Sequence, residues 1–127
     1  MVSIAPFLSV YLVLVGLLLG SFINLAADRV PRGESIVRPR SHCRACGRQL
    51  NAIDLLPVLG YAIRRGRCAT CGTSIGLTAP VVEAVSGGVM LLAIAWQGVW
   101  PGAAIGLALV TLWGFSVTGF AIRLRRA

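Results

Sequence analysis

The chain has 127 residues, of which 57% are hydrophobic and only 13% charged. Soluble domains run near about 45–50% apolar and about 25% charged, so a water-soluble globule, a disordered tail and a pair of soluble lobes are all poor descriptions. The net charge is +8, from twelve basic residues against four acidic ones, and every basic residue is arginine.

The elements follow in chain order. Residues 4–27 read IAPFLSVYLVLVGLLLGSFINLAA and carry no charge. A helix needs about 20 apolar residues to cross a bilayer, so this is a first transmembrane helix, with Pro6 tolerated in its first turn. The start, MVSIAPF, lacks the basic region of a cleaved signal peptide, and the segment is expected to be an uncleaved anchor. Residues 28–78 form a polar loop. Residues 79–98 make a second span, apolar except for Glu83, whose alternative is a buried soluble helix. A short turn at Val99–Pro101 leads into a third span, 102–122, with no charge, and a basic tail, 123–127. Gly16 with Gly20, and Gly102 with Gly106, form G-x3-G pairs suited to close helix contact.

The arginines orient these spans. Arg29 to Arg67 holds nine of them, and Arg123, Arg125 and Arg126 are the rest. Cytoplasmic loops carry the excess of basic residues. The N-terminus is therefore expected outside, with the long loop and the C-terminus in the cytosol. The arginines also invite nucleic acid, but the positive-inside pattern already explains them, and nucleic acid is not expected as a partner.

Within the loop, Cys43 and Cys46, then Cys68 and Cys71, form two C-x2-C pairs separated by residues 47–67. This is close to a four-cysteine zinc spacing, and Zn2+ favours four tetrahedral ligands in closed, structural sites. Gly47 and Gly72 follow the pairs and permit the left-handed turn of a knuckle. Arg44, Arg48 and Arg67 are expected to keep the thiols ionised. Disulfides and a redox dithiol are the alternatives, the former disfavoured in a reducing cytosol. His42 is a candidate substitute ligand. Between the pairs, Asn51 or Asp54 is expected to cap a short helix with Pro57 in its first turn and Gly66 at its end. Its apolar face, Leu55, Leu56, Val58, Leu59 and Ile63, would pack on the knuckles or lie against the bilayer.

Four other polar residues stand out. Glu83 lies about one turn inside the second span, where charges are costly; it either pairs with an arginine such as Arg29 or Arg32, or binds the amine of a substrate or methyl donor. Asn24, near the cytosolic end of the first span, is expected to hydrogen-bond between helices. Arg32 and Glu34 at the membrane exit would bind an acidic leader segment or lipid headgroups, or simply be solvated.

The segments GSFINLAADRVPRGESIVRPRSHCRACGRQL, DLLPVLGYAIRRGRCATCGTSIG and APVVEAVSGG resemble the N-terminal part of the type IV prepilin leader peptidases. The resemblance runs from about Gly20 to Gly88 and implies a role in pilin maturation for type IV pili or type II secretion at the bacterial inner membrane. It implies a zinc-clipped cytosolic loop tied to the methyltransferase side of that family, with S-adenosylmethionine as methyl donor, and membrane lipids and prepilins as partners. The family's aspartyl protease part has two catalytic aspartates in later spans, one in a G-x-G-D motif. Here the two aspartates are Asp28 and Asp54, both in the zinc-loop part, and no G-x-G-D occurs. Ile122-Arg123-Leu124 stands where the family has its first catalytic acid. No catalytic residue is therefore assigned, and the chain is not expected to cleave prepilin alone. It would work with a separate aspartyl protease chain, or stand as a non-enzymatic membrane adaptor or a remnant of such a peptidase.

Overall fold

The computed structural model describes residues 3–127. Met1 and Val2, part of the base-free start read above, lie outside the described residues. Helix α1 spans Ala5–Arg29 and runs into a 3-10 turn at Val30–Arg32. Helix α2 is five residues, Leu59–Ile63; α3 spans Thr78–Gln97 and α4 spans Val99–Arg126. No strand forms among the described residues. The fold is all-helical, with three helices (α1, α3 and α4) long and apolar enough to cross a membrane.

The three long helices pack against one another through their smallest residues. A Cβ added at Gly20 of α1 would stand 2.7 Å from the Glu83 Cα of α3, and one at Gly16 would stand 2.9 Å from the Met90 Cβ. On α4, a Cβ at Gly102 would meet the Ile94 Cα at 2.5 Å. Both G-x3-G pairs thus sit at helix contacts. Met90 and Ser86 are fully buried, and Ile23, Val82 and Val110 form the small core between the helices. Large apolar side chains point the other way: Leu92 is 70% exposed and Phe115 75% exposed. Small residues inside and bulky apolar ones outside suit packing in lipid, where burying hydrocarbon between helices brings no gain over contact with acyl chains.

Three regions differ from the expectation: the turn before the third span, the basic tail and the loop helix. The turn at Val99–Pro101 is already the first turn of α4, and Gly98 (φ 81°) makes the reversal alone. Pro101 is compatible because the first turn of a helix has no internal partner for its N–H. The basic tail is likewise helical to Arg126, which sets three arginines on the negative end of the helix dipole. In the loop, Asn51 and Asp54 do not cap α2. They cap each other, each backbone N–H donating to the other's side-chain oxygen at 3.0 Å. Pro57 precedes the helix, and Val58 at φ 60° starts it. The helix ends at Ile63, ahead of Gly66: Arg64 caps it, Arg65 takes the left-handed turn (φ 52°), and Gly66 (φ 68°) follows, donating its N–H to the Tyr61 carbonyl.

The close α1–α3 crossing yields a test. Gly20→Ala forces a methyl group against backbone and should destabilise the bundle by about 1–3 kcal/mol. Gly88→Ala, where nothing lies within 4 Å, should be neutral. Unfolding of the two variants in detergent micelles compares them.

Candidate functional site

The loop folds around two copies of one turn. In the first, the Cys43 N–H donates to the Arg48 carbonyl at 2.8 Å and the Gly47 N–H to the Cys43 carbonyl at 2.8 Å. In the second, the Cys68 N–H donates to the Thr73 carbonyl at 2.9 Å and the Gly72 N–H to the Cys68 carbonyl at 3.1 Å. Gly47 and Gly72 both take positive φ, 74° and 69°, which a Cβ would oppose. Bridges His42–Gln49 and Arg67–Ser74 close each turn at its base.

The two turns face each other and bring the four sulfurs together. Cys43 Sγ lies 3.8 Å from Cys71 Sγ, and Cys46 Sγ lies 3.9 Å from Cys68 Sγ. All four sulfurs fall within 4.8 Å of one another. A tetrahedron with metal–sulfur bonds of about 2.3 Å has edges of about 3.8 Å, so the spacing fits a shared cation. It does not fit disulfides, whose sulfurs stand about 2.05 Å apart, and all four cysteines are free. His42 is outside the cluster: its Nδ1 lies 3.0 Å from the Arg40 carbonyl oxygen.

The thiols are tuned by backbone rather than by arginine. The amides of Cys71 and Thr70 draw the Cys68 thiol down to about 6, and the Thr73 hydroxyl and amide lower Cys71. The Arg48 amide draws Cys46 down, but burial and the neighbouring sulfurs outweigh it and push that thiol up to about 11. Four crowded sulfurs cannot all hold negative charge unaided; a cation among them would let them do so. Arg44 and Arg48, read above as thiolate partners, are committed elsewhere. Arg44 Nη2 stands 2.5 Å from Asp28 Oδ2 and 2.9 Å from Glu34 Oε2. Arg48 Nη2 stands 2.9 Å from Asp54 Oδ2.

These pairs lash the loop together. Arg44 ties the first knuckle to the end of α1, where Arg32 also reaches Asp28. Arg44 holds the Glu34 carboxyl below its ordinary value. Asp54, with a side chain only 6% exposed, joins the first knuckle, through Arg48, to the end of α2, through Arg64 Nε at 2.6 Å. Burial pushes the Asp54 carboxyl up, but the Asn51 amide and the two guanidinium groups bring it below the usual range.

Beside the knuckles, a cavity of about 430 Å³ opens where the ends of α1 and α3 meet the loop, with Asn24, Arg29, Tyr61, Arg64 and Glu83 among its walls. Glu83 is buried but makes no ion pair with Arg29 or Arg32. Arg29 donates to the Ser35 carbonyl at 2.8 Å, and Arg32 is held by Asp28. Instead Glu83 Oε2 accepts the Val58 N–H at 2.7 Å, and Oε1 has no hydrogen bond with a described residue. Asn24 makes no interhelical side-chain hydrogen bond among the described residues; it faces the cavity. Arg32 and Glu34 are partners in the Asp28–Arg44 network, not free groups. Sequence reasoning missed the Asp54 hub and the role of Val58. The stretch that holds both, residues 54–59, was read as a cap and an apolar helix face, which gave no sign of either contact.

A family model described as the Bacterial Peptidase A24 N-terminal domain matches residues 14–97. The chain is 43% identical over 82 residues to a prepilin leader peptidase/N-methyltransferase of Myxococcus xanthus, covering 65% of this chain and 24% of that one. It is 41% identical over 71 residues to the protein of that name from Bacillus subtilis, covering 56% and 29%. A Neisseria gonorrhoeae protein of that name is 29% identical over 145 aligned residues, covering 95% and 48%. The chain thus spans between a quarter and a half of the length of these relatives. No solved structure matches it.

Two outcomes are expected. Elemental analysis should find about one divalent ion per four-sulfur cluster, and Cys68→Ser or a strong chelator should remove it and loosen the loop while the long helices persist by circular dichroism. The depressed Asp54 carboxyl stabilises the fold above its unfolded value of about 3.9 and loses that contribution as pH falls through its lower folded value. The stability gap between the parent and Asp54→Asn should therefore be widest near neutrality and close as the pH drops below about 4, as read by pH-dependent unfolding.

Proposed function

The chain belongs to the Bacterial Peptidase A24 N-terminal domain family, and from that membership we propose that it serves the methylation side of prepilin maturation at the bacterial inner membrane. The chain would then consist of spans at 4–27, 79–98 and 102–122, a cytosolic clip at 28–78 and a basic end at 123–127, with the N-terminus outside; the arginine distribution supports that orientation. Zn2+ is the ion proposed for Cys43, Cys46, Cys68 and Cys71. Four thiolates suit this borderline-soft ion and leave no open position for chemistry, so its part is structural. S-adenosylmethionine, the methyl donor that the family resemblance implies, would supply an electrophilic methyl group.

The chain's own residues supply the place for transfer. A volume of about 430 Å³ lies within the range of small-molecule sites. Its wall carries one buried carboxylate with an uncommitted oxygen, Glu83, and one unpartnered carboxamide, Asn24. A carboxylate in low dielectric binds an ammonium group strongly, which suits the amine of a new pilin N-terminus or of the methyl donor. The carrying observation is the free Glu83 oxygen in that cavity.

Hydrolysis is not proposed for these residues by themselves. Acid–base proteolysis by aspartates needs one protonated and one ionised carboxyl side by side. Asp28 is gripped by Arg32 and Arg44, and Asp54 by Arg48 and Arg64. Arginine neighbours hold carboxyls ionised. Prepilin cleavage would fall to a protease part, in this or another chain.

Glu83→Gln separates charge from structure, because glutamine still accepts the Val58 N–H. Methylation of a processed pilin peptide by the membrane-embedded protein, together with whatever protease part it needs, should fall about tenfold or more, the loss of one charge-assisted hydrogen bond. Unchanged methylation would contradict the role of Glu83, and pilin binding without any methylation by the parent would favour an adaptor.

A further inference from the structure

Helix α2 has its apolar residues on the outside. Its inner side is Gly60, where an added Cβ would stand 2.6 Å from the Asp54 carbonyl oxygen, and its end is tied to Asp54 by Arg64. Leu59 and Ile63, one turn apart, are 60% and 56% exposed, and Ile53 and Leu56 just before them are nearly half exposed. A five-residue helix in water would not present this face to solvent without cost, because exposed leucine and isoleucine side chains forgo the gain of leaving water.

The depth of α2 identifies what covers that face. The residue just before it is fixed by the bond from the Val58 N–H to Glu83 Oε2. Glu83 is five residues past Thr78, the start of α3, which is about 7.5 Å along the helix axis. The 20 residues of α3 measure about 30 Å, the thickness of the hydrocarbon core. Helix α2 therefore begins beside the second turn of a membrane span rather than above it. Interfacial helices seat their apolar side about 5–10 Å into the boundary between headgroups and acyl chains. Immediately after α2 come Arg65 and Arg67, exposed and in no ion pair among the described residues, and such cations complement anionic headgroups.

We propose that residues 53–63 are a membrane foot of the loop: a short reentrant segment whose Leu59 and Ile63 sit among the upper acyl chains beside α3, with Arg65 and Arg67 at the phosphates. The partner is the lipid surface itself. The foot requires no bound substrate or methyl donor, so it stands or falls apart from the methylation reading. It also explains the outward apolar face without a second protein.

The experiment places one tryptophan at a time in the full chain, with Trp96, Trp100 and Trp113 replaced by Phe, in vesicles of phosphatidylcholine and phosphatidylglycerol. Leu59→Trp should emit to the blue and be quenched several-fold when the phosphatidylcholine is brominated high on its acyl chains. Ala45→Trp, at the exposed tip of the first knuckle, should emit to the red and stay unquenched. Red, unquenched emission from Leu59→Trp would put the foot in water and overturn the proposal. Blue emission without quenching would also overturn it, by showing that protein, such as a second copy, covers the face. Circular dichroism checks folding, and Ile63→Trp serves as the same reporter should Leu59→Trp fail to fold.

Discussion

The hydrogen bond that seats the loop deepest in the helix bundle is the Val58 amide donating to Glu83 at 2.7 Å. Each partner is unfavourable alone. A β-branched residue at φ 60° is a backbone outlier costing about 1–3 kcal/mol. A carboxylate buried at the mouth of an apolar helix bundle would be expensive without a donor. Together they offset one another, since a hydrogen bond to a charged acceptor contributes about 1.5–3 kcal/mol. The result sets the depth of α2 and shapes the floor of the cavity. It also leaves one Glu83 oxygen free.

The remaining acids are spent on cohesion. Asp28 and Glu34 hold Arg44 against the end of α1, and Asp54 holds Arg48 and Arg64. Surface pairs of this kind are worth little singly. Here the Asp54 pairs are largely shielded from water, and Asp28 and Asp54 each bridge two arginines from different pieces of the chain. The network therefore specifies geometry more than it adds stability. Arg38, Arg40, Arg65, Arg67, Arg123, Arg125 and Arg126 take no part in it among the described residues. They fall in two groups, within 38–67 and at 123–126.

Much of this was legible in the sequence, and the reasons are physical. Apolar runs of span length are a strong one-dimensional signal, and three such helices form. Cysteine spacing determines which sulfurs a knuckle can bring together, and the four sulfurs cluster. What sequence could not show were contacts made by the backbone. The partner of Glu83 is an amide, which every residue but proline carries, so an arginine looked the better match. The thiols are tuned by the amides of Thr70 and Cys71 for the same reason, whereas neighbouring arginines drew attention by charge. Val99–Pro101 looked like a turn because proline punctuates chains, yet proline is neutral in a first turn and Gly98 alone reverses the direction.

The two knuckles close residues 47–67 into a loop, and that closure is what makes so short an α2 tenable. An isolated helix of five residues cannot form in water, because nucleation costs more than its few bonds return. Here both ends of the segment are fixed by the sulfur cluster, its middle by Glu83, and its flanks by Asp54. A cation held by the four sulfurs would act on the cavity by fixing where Val58 and Arg64 begin their approach to the helix bundle. Cys43 and Cys68 themselves line that cavity together with Glu83, so the sulfur cluster and the buried acid border one space. A closed four-sulfur site needs no open coordination position, and the cavity needs the loop held at the depth where Glu83 can receive it.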